Sequence, residues 1–416
     1  MTAVTSLRNR GQAVAAVARR DGARRLMARS LRTAADRVAG GEPPPLAVRA
    51  DHLIAPAADL DREWRPNRSG PLVINWITNP PNEGSGGMST LMQSIALLEG
   101  RGHQCRIAVL FKGLRRDLTD ARRTAHERFP EVRATVDDLD DGLRPADAVV
   151  ATAWPTAYAL RATARTGVPF YLVQDHEPSF YPASSDAVLA EETYRFGFHG
   201  MTAGRWLAGK LDRDHGMCCT AFDLGVDLAT YRLAEDASGS GRRNGVVFYA
   251  RPDTPRRGFE LGMAALALIA RRRPDVPIHL VGQRLSLRHP GFAFTNHGHC
   301  SPAELAAIYS ACTAGLVLSL TNLSLLPAEL LATGCIPVMN DGENTRASFT
   351  NRHARFARPD PEALAAAVEA VLEDPGTPAA RAEAAASVGS LAWEHVADRL
   401  ELALGRGIDR WLADHP

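Results

Sequence analysis

Three loops of the sequence carry side chains that suit a phosphorylated ligand, and the most basic of them is FYARPDTPRRGFELG. Arg251 directly follows a strand-like run, and Arg256 and Arg257 lie just ahead of a helical run. The forked guanidinium group matches phosphate oxygens in bidentate geometry and is always charged. The pattern indicates a diphosphate site, although a basic loop in contact with solvent would have the same sequence.

The second loop, SLTNLSLLPAELLATGCIPVM, places polar groups at the start of a predicted helix. Thr321, Asn322 and Ser324 follow a strand that ends near Leu320, and Glu329 lies in the first helical turn. Free N–H groups of such a turn can bind phosphate, and a carboxylate can accept hydrogen bonds from ribose hydroxyls. A glutamate at this position also stabilises a helix with no ligand present, so both interpretations stay open.

The third loop is the glycine-rich stretch EGSGGMST at residues 83–90. Gly84, Gly86 and Ser89 take the three fingerprint positions of a dinucleotide-binding loop, but the third is not glycine. The next strand ends in Lys112, where a nicotinamide enzyme needs a carboxylate for the ribose. An NAD(P)-dependent oxidoreductase is therefore disfavoured. The remaining interpretations are a helix start that binds a phosphate or sugar hydroxyl, and a tight turn without a ligand.

A fourth segment, DHEPSFYP, combines two carboxylates, a histidine and two aromatic rings after the apolar run FYLVQ. Asp175, His176 and Glu177 would be costly to bury without partners. A sugar offers hydroxyls to the carboxylates and an apolar face to Phe180 or Tyr181. We expect this segment to bind the acceptor, and a surface loop that caps the next helix is the alternative.

Alternating strand and helix patterns predict how these loops are positioned. Apolar runs of strand length alternate with helical segments from about residue 70, and the alternation restarts after the polar segment 232–245. This predicts an α/β protein with two Rossmann-like, doubly wound domains, residues 51–236 and 237–395, that face a central cleft. Loops at the carboxyl ends of parallel strands line such clefts. The acidic run 137–141 is expected to lie in a polar connection.

Composition excludes several classes of protein. The 416 residues are enough for two hydrophobic cores, and a formal net charge of +1 provides no general attraction to nucleic acid. No apolar run reaches the length of a membrane span and no signal segment follows the N-terminus, which predicts a cytoplasmic protein. The six cysteines lack the spacing of a disulfide framework or a zinc site.

The two ends of the chain carry separate predictions. Residues 1–50 show helical spacing of apolar residues between arginines and end in a proline-rich linker, which predicts a basic helical arm. Such an arm packs on its own domain or makes peripheral contact with the inner face of the membrane. Residues 396–416 have the pattern of an amphipathic helix.

The arginine loop and the second loop resemble the glycosyltransferases of family 4, which have the GT-B fold. VQDHEPSFYPASSDAVLAEETYRFGFHG and the TNxSLxPxE form of the second loop are similar to the WsaF-type rhamnosyltransferases of that family. The resemblance implies retaining transfer of L-rhamnose or another deoxysugar from a nucleotide-diphosphate donor such as dTDP-L-rhamnose. The acceptor would be a hydroxyl of a glycan, a lipid-linked molecule or a small natural product. No cofactor and no obligatory metal are implied, and the C-terminal helix would cross back to the first domain.

The resemblance also implies roles for individual residues. Asp175, His176 and Arg251 would act at the reacting centre, the first two by positioning more readily than as a base. The donor would contact Arg251, Arg256, Arg257, Thr321, Asn322, Ser324, Leu325 and Glu329. The acceptor and sugar loop would comprise Gly86, Gly87, Ser89, Thr90 and Glu177.

One position departs from the family pattern. Family members have a glutamate pair spaced E-x7-E, and Thr321 stands at the first position of this pair, eight residues before Glu329. The resemblance therefore implies a less acidic donor pocket, which suits a 6-deoxy sugar. A non-catalytic nucleotide-sugar-binding protein is the alternative function that this fold would also allow.

Overall fold

The described residues fold into two parallel β-sheets with helices in the connections. The computed structural model describes residues 47–61, 63–82, 86–111, 117–233, 243–285 and 291–415. The predicted arm up to residue 46, residues 83–85, Lys112 and most of the polar segment before the second sheet lie outside these ranges. The predicted α/β class with two Rossmann-like sheets is confirmed.

The first sheet and its helices form what we call the N-half, residues 48–233. Its strands are β1 (Val73–Thr78), β2 (Gln104–Val109), β3 (Thr135–Asp138), β4 (Ala148–Ala151), β5 (Val168–Val173), β6 (His199–Ala203) and β7 (Cys219–Phe222). They pair in parallel in the order β3-β2-β1-β4-β5-β6-β7. Its helices are α1 (Ala50–Ile54), α2 (Gly86–Gly100), α3 (Leu118–Arg128), α4 (Trp154–Thr163), α5 (Ser185–Glu192) and α6 (Arg205–His215).

The second sheet forms the C-half, residues 243–391. Its strands are β8 (Val246–Tyr249), β9 (Ile278–Val281), β10 (Thr295–Gly298), β11 (Ala314–Val317), β12 (Ile336–Asn340) and β13 (Arg355–Ala357). They pair in parallel in the order β10-β9-β8-β11-β12-β13. The helices from here to the C-terminus are α7 (Phe259–Arg272), α8 (Pro302–Ala311), α9 (Leu326–Ala332), α10 (Glu343–Ser348), α11 (Pro361–Glu373), α12 (Pro378–Ala386) and α13 (Trp393–Asp414).

Continuous apolar strands explain the layered architecture. In β4, Ala148 and Val150 belong to one hydrophobic cluster, whereas Val149 and Ala151 belong to another on the opposite face. A strand that is buried on both faces needs helices on both sides of the sheet, as in doubly wound folds. None of the helices in the described ranges has the length and apolar character needed to cross a bilayer.

The strand order reverses once in each sheet, and these switch points position the loops. The reversal lies between β1 and β4 in the N-half and between β8 and β11 in the C-half. The glycine loop follows β1, the arginine loop follows β8, and the polar loop follows β11. Ligands of such sheets bind outside the carboxyl ends of the strands at the switch point. The sequence therefore places all three loops where a ligand is expected.

The final helix, α13, packs on the N-half although it follows the C-half in the chain. Leu400, Leu404 and Ile408 belong to the cluster that covers one face of the first sheet. A Cβ atom at Gly407 would overlap the ring of Phe170 and lie 3.2 Å from Cβ of His199. A side chain at this point would therefore separate the helix from the sheet.

Gly407→Ala is expected to lower the free energy of unfolding by about 1–3 kcal/mol through overpacking. The matched control is Gly405→Ala on the same helix, where an added Cβ meets no atom within 4 Å. That control should be neutral, or more stable by up to about 1 kcal/mol because alanine favours helix. Urea unfolding of both variants checks this. Equal stability of the two would show that α13 does not pack as described.

One connection differs from its prediction. The acidic run 137–141 was expected in a polar connection, but Thr135–Asp138 forms the edge strand β3. For Asp137 and Asp138 that expectation was wrong, because the side chains alternate as in an edge strand: Val136 is buried, whereas Asp137 faces Arg144 at 2.8 Å. Residues Leu139–Asp141 form a 3-10 turn in the connection that follows.

Candidate active site

Asp175 joins the two halves at the carboxyl end of β5. Only 7% of this residue is exposed. From the C-half its carboxylate accepts hydrogen bonds from Arg256 Nε (3.1 Å), Thr321 Oγ1 (3.0 Å) and the backbone N–H of Asn322 (2.8 Å). The backbone N–H of His176 is a further donor at 2.8 Å. With both oxygens engaged, Asp175 is arranged to position the groups that donate to it.

The contact with Thr321 bears on the missing glutamate of the E-x7-E pair. Thr321 is itself buried, and its hydroxyl points to the carboxylate of Asp175. The carboxylate of Asp175 therefore lies beside the position where family members have a glutamate, and the N-half contributes it.

Asn322 makes a second connection between the halves. Its side-chain Nδ2 donates to the carbonyl oxygens of Gln174 (2.9 Å) and Ala203 (2.7 Å), which lie at the ends of β5 and β6. Its Oδ1 accepts from Ser348 Oγ at 3.2 Å. The residue is 2% exposed, so every polar atom of a buried amide has a partner.

The two arginines ahead of α7 have different surroundings. The Arg256 guanidinium is paired with Asp175 and lies 4.0 Å from the ring centroid of Phe180. Arg257 donates to Ser319 Oγ (2.9 Å) and to the backbone oxygen of Asn322 (3.2 Å). Burial lowers the pKa of Arg257. Among the described residues no carboxylate forms an ion pair with Arg257, so it is the better candidate for binding an anion.

Arg251 extends from the end of β8 beside an aromatic ring. Its Nη1 donates to the Tyr249 hydroxyl at 3.1 Å, and its guanidinium lies 5.8 Å from that ring centroid. Gly282 has a φ of +108°, and a Cβ there would lie 2.8 Å from Tyr249 Cε2 and 3.2 Å from Arg251 Cδ. Glycine at this position therefore allows Arg251 to lie close to the end of β9.

Glu329 lies in α9 among groups that lack protein partners. Burial, followed by the charge of Asp227, raises the pKa of Glu329 to about 8. Burial and then the Glu329 carboxylate raise the pKa of Tyr309, whose hydroxyl has no partner among the described residues. Ser324 Oγ likewise has no hydrogen-bond partner among the described residues. Buried polar atoms without protein partners indicate a place where ligand hydroxyls would be accepted.

His176 is a neutral imidazole at physiological pH. Burial, followed by the charge of Lys210, lowers the pKa of His176 to about 4. Its Nδ1 lies 2.7 Å from Ser179 Oγ, and its ring stacks on Tyr194 with centroids 6.0 Å apart. A neutral imidazole can donate from one nitrogen and accept at the other, which suits a sugar hydroxyl.

Glu177 points into the N-half. Its carboxylate accepts from the Tyr171 hydroxyl (2.6 Å) and from the backbone N–H of Trp154 (2.8 Å), the first residue of α4. Burial raises the pKa of Glu177 to about 7. The structure thus gives Glu177 a part in fixing the start of α4, away from the loop surface where the sequence suggested an acceptor contact.

The glycine loop is exposed where α2 begins. Gly86, Gly87 and Ser89 are exposed, whereas Thr90 is 3% exposed within the helix. The backbone oxygen of Gly87 accepts from Gln174 Nε2 at 2.9 Å. Among the residues that the structure describes, a Cβ at Gly86 would meet nothing within 4 Å. The fold itself therefore does not require glycine at position 86.

For the glycosyltransferase that the family resemblance implies, Gly86→Val is expected to leave the melting temperature nearly unchanged and to lower sugar transfer about tenfold. The added side chain has room in the fold but would project where the sequence predicts that a substrate hydroxyl approaches the backbone. Nucleotide affinity should stay the same, because the residues predicted to bind the nucleotide lie in the C-half. Kinetics and thermal unfolding measured side by side check this. Undiminished transfer would show that no substrate approaches this turn.

The structure brings three of the predicted donor residues, Arg256, Thr321 and Asn322, into contact with Asp175, and Arg257 bonds to Asn322. Sequence reasoning missed Gln174, Ser348 and Tyr309. Gln174 stands beside the highlighted DHE motif, so its position at a strand end was a usable signal. Ser348 and Tyr309 lie on helices with no local motif, so nothing in the sequence indicated them.

Two family descriptions match this chain. Residues 137–202 match the N-terminal domain of WsaF, and residues 244–369 match its C-terminal domain. The O-antigen biosynthesis protein RfbC of Myxococcus xanthus is 34% identical over 269 residues, which is 63% of this chain and 21% of that protein. The chain thus spans about a fifth of the length of this curated relative.

Solved structures show the same architecture at low sequence identity. HepE of Anabaena, solved in complex with UDP, has a TM-score of 0.60 at 14% identity and covers 80% of this chain and 99% of its own. TarM has a TM-score of 0.64 at 7% identity, with 81% and 99% covered. A glycosyltransferase from Rickettsia africae has a TM-score of 0.58 at 13% identity, with 82% and 99% covered. These similarities establish the GT-B fold.

Proposed function

We propose that this chain, which matches the N- and C-terminal domains of WsaF and has the GT-B fold, is a retaining glycosyltransferase of family 4. It transfers L-rhamnose or another deoxysugar from a nucleotide-diphosphate donor, with dTDP-L-rhamnose as the first candidate. The acceptor is a hydroxyl of a glycan, a lipid-linked molecule or a small natural product. The enzyme works in the cytoplasm, without a cofactor or an obligatory metal.

The observation that carries this proposal is the charge of Arg257 at the switch point of the C-half. Arg257 has hydrogen-bond partners but no carboxylate partner among the described residues, and burial works against its charge. A donor diphosphate would supply the missing negative charge with bidentate oxygens. Glu329, in the first turn of α9, would then accept hydrogen bonds from the ribose hydroxyls.

The proposed reaction breaks the bond between the anomeric carbon and the diphosphate oxygen. The electron pair leaves with the diphosphate, where Arg251 and Arg257 stabilise the developing negative charge. The acceptor oxygen attacks the anomeric carbon on the same face, and its proton passes to the departing phosphate oxygen. Because the departing phosphate takes the proton, no protein base is needed. Neutral His176 orients the acceptor hydroxyl.

Relatives support the class of substrate. HepE was solved with UDP and with UDP-glucose, and RfbC is named as an O-antigen biosynthesis protein. We extend both to this chain as a nucleotide-sugar donor and a role in building a surface polysaccharide. The basic arm, outside the described residues, would then make peripheral contact with the inner face of the membrane near the acceptor.

A thermal-shift panel of dTDP, UDP and GDP and their sugars tests the proposal. A ligand at one hundred times its Kd stabilises the folded state by about 2.7 kcal/mol, so the cognate nucleotide should raise Tm by several degrees. Nucleotide-sugar turnover is then measured with the ligand that binds. Binding without turnover of any donor would indicate the non-catalytic alternative. The absence of any shift would contradict the proposal.

A further inference from the structure

Asn322 contacts the donor side and the acceptor side of the candidate site at once. We propose that Asn322 is a positioning residue which transmits occupation of the Arg257 phosphate site to the glycine turn at Gly86 and Gly87. This inference rests on the proposed function, because the proposed donor diphosphate is the ligand that occupies the phosphate site.

On the donor side, Asn322 is hydrogen-bonded directly to Arg257, the residue that we propose binds the phosphate. Its backbone oxygen accepts from Arg257 Nη1 (3.2 Å) and from Ser319 Oγ (2.7 Å). A diphosphate that draws the Arg257 guanidinium toward itself therefore pulls on, or releases, the Asn322 peptide group. The position of this peptide group depends on the ligand.

On the acceptor side, the contacts continue to the glycine turn. The Asn322 amide holds the backbone oxygen of Gln174, and the side chain of the same Gln174 donates to the backbone oxygen of Gly87. Asp175, the next residue, accepts a hydrogen bond from the backbone N–H of Asn322. One short segment of the N-half is thus held by Asn322 and itself holds the start of α2.

The chemistry of the contact favours reversible engagement. Each hydrophobic cluster of the described residues centres on one of the two sheets, and Val226 and Tyr231 of the N-half pack in a cluster of the second sheet. The connections through Asp175 and Asn322 are hydrogen bonds and one ion pair. Polar groups that separate are satisfied again by water, so each such bond contributes only about 0.5–1.5 kcal/mol net. A contact of this kind can open and close during turnover.

Hydrogen exchange in the region of residues 86–95 tests the inference, with dTDP, UDP and GDP as separate probes. In the unmodified protein, the nucleotide that binds should slow exchange at the start of α2 about fivefold or more. Gln174→Ala cuts the link to Gly87, and Asn322→Asp removes the Nδ2 donors. Both should lose this protection, and Gln174→Ala should do so with less than a threefold change in nucleotide Kd.

Ser348→Ala is the matched control. It removes a bond to the same Asn322 amide but from within the C-half, so nucleotide protection of α2 should persist. Gln174→Ala also guards against misfolding of the Asn322 variant, since it leaves both Asn322 amide bonds to backbone oxygens in place.

Three outcomes would overturn the inference. Protection that survives Gln174→Ala would mean that the nucleotide touches the glycine turn directly. Binding without protection in the unmodified protein would mean that the two sides are independent, and the proposed function would still stand. If none of the nucleotides binds, the result contradicts the proposed function and, with it, the role of Asn322 inferred here.

Discussion

Arg257→Met is expected to reduce kcat/KM for donor turnover by about 10²–10³-fold, because it removes a charge aimed at the leaving diphosphate. Methionine keeps the apolar length of the side chain and gives up only the bonds to Ser319 and to the backbone oxygen of Asn322. Burial already opposes the charge of Arg257, so stability should change little, or rise. Steady-state kinetics and thermal unfolding of the same preparation measure both effects.

The matched control is Arg273→Met. Arg273 directly follows α7 in the same part of the chain, and it is paired with Asp275 at 3.3 Å. Turnover of this variant should equal that of the unmodified enzyme. Equal turnover of the Arg257 and Arg273 variants would remove Arg257 from the phosphate site.

Glu329→Gln is expected to weaken nucleotide binding about tenfold or more and to abolish proton release on binding. The pKa of Glu329 is raised to about 8, so the empty protein holds this proton at pH 7. Ribose hydroxyls that donate to both oxygens favour the ionised form, and binding at pH 7 should release up to one proton. Nucleotide affinity should therefore increase from pH 6 to about pH 8 and then level off.

Calorimetry at pH 7 in buffers with different ionisation enthalpies counts the protons released. The glutamine variant, which retains the shape of the side chain, should show none from this site and a flatter pH profile. The same pKa shift links to stability: a raised carboxyl pKa stabilises the fold at acidic pH, and this contribution is lost as pH rises through about 8. Identical proton counts in both proteins would contradict ribose binding by Glu329.

Much of both sheets was predictable from the sequence, because most buried strands are short apolar runs between polar loops; β6 (His199–Ala203) is buried throughout without being such a run. β4 and β11 are buried at every position, and such runs signal doubly wound sheets without knowledge of distant contacts. β3 was not predictable, because only Val136 marks its buried face while acidic residues dominate the segment. The acidic composition of this segment therefore predicted a connection where the structure has a strand.

The candidate site was predictable as a set of loops but not as a set of contacts. Asp175 and Asn322 are 147 positions apart in the chain, and their hydrogen bond exists only because the two halves meet at this point. The different surroundings of Arg256 and Arg257 follow from the same contact between the two halves. Neighbouring arginines look alike in a sequence, and only the fold assigns one of them to a carboxylate.

The proposed function requires that a nucleotide-diphosphate sugar binds at the C-half and loses its sugar there. The most direct measurement is release of nucleoside diphosphate from a panel containing dTDP-L-rhamnose, UDP-glucose and GDP-mannose, with the unmodified enzyme and Arg257→Met compared. We predict release from dTDP-L-rhamnose above the hexose donors, and loss of this release in the variant. No release from any donor, or equal release by the variant, would contradict the account.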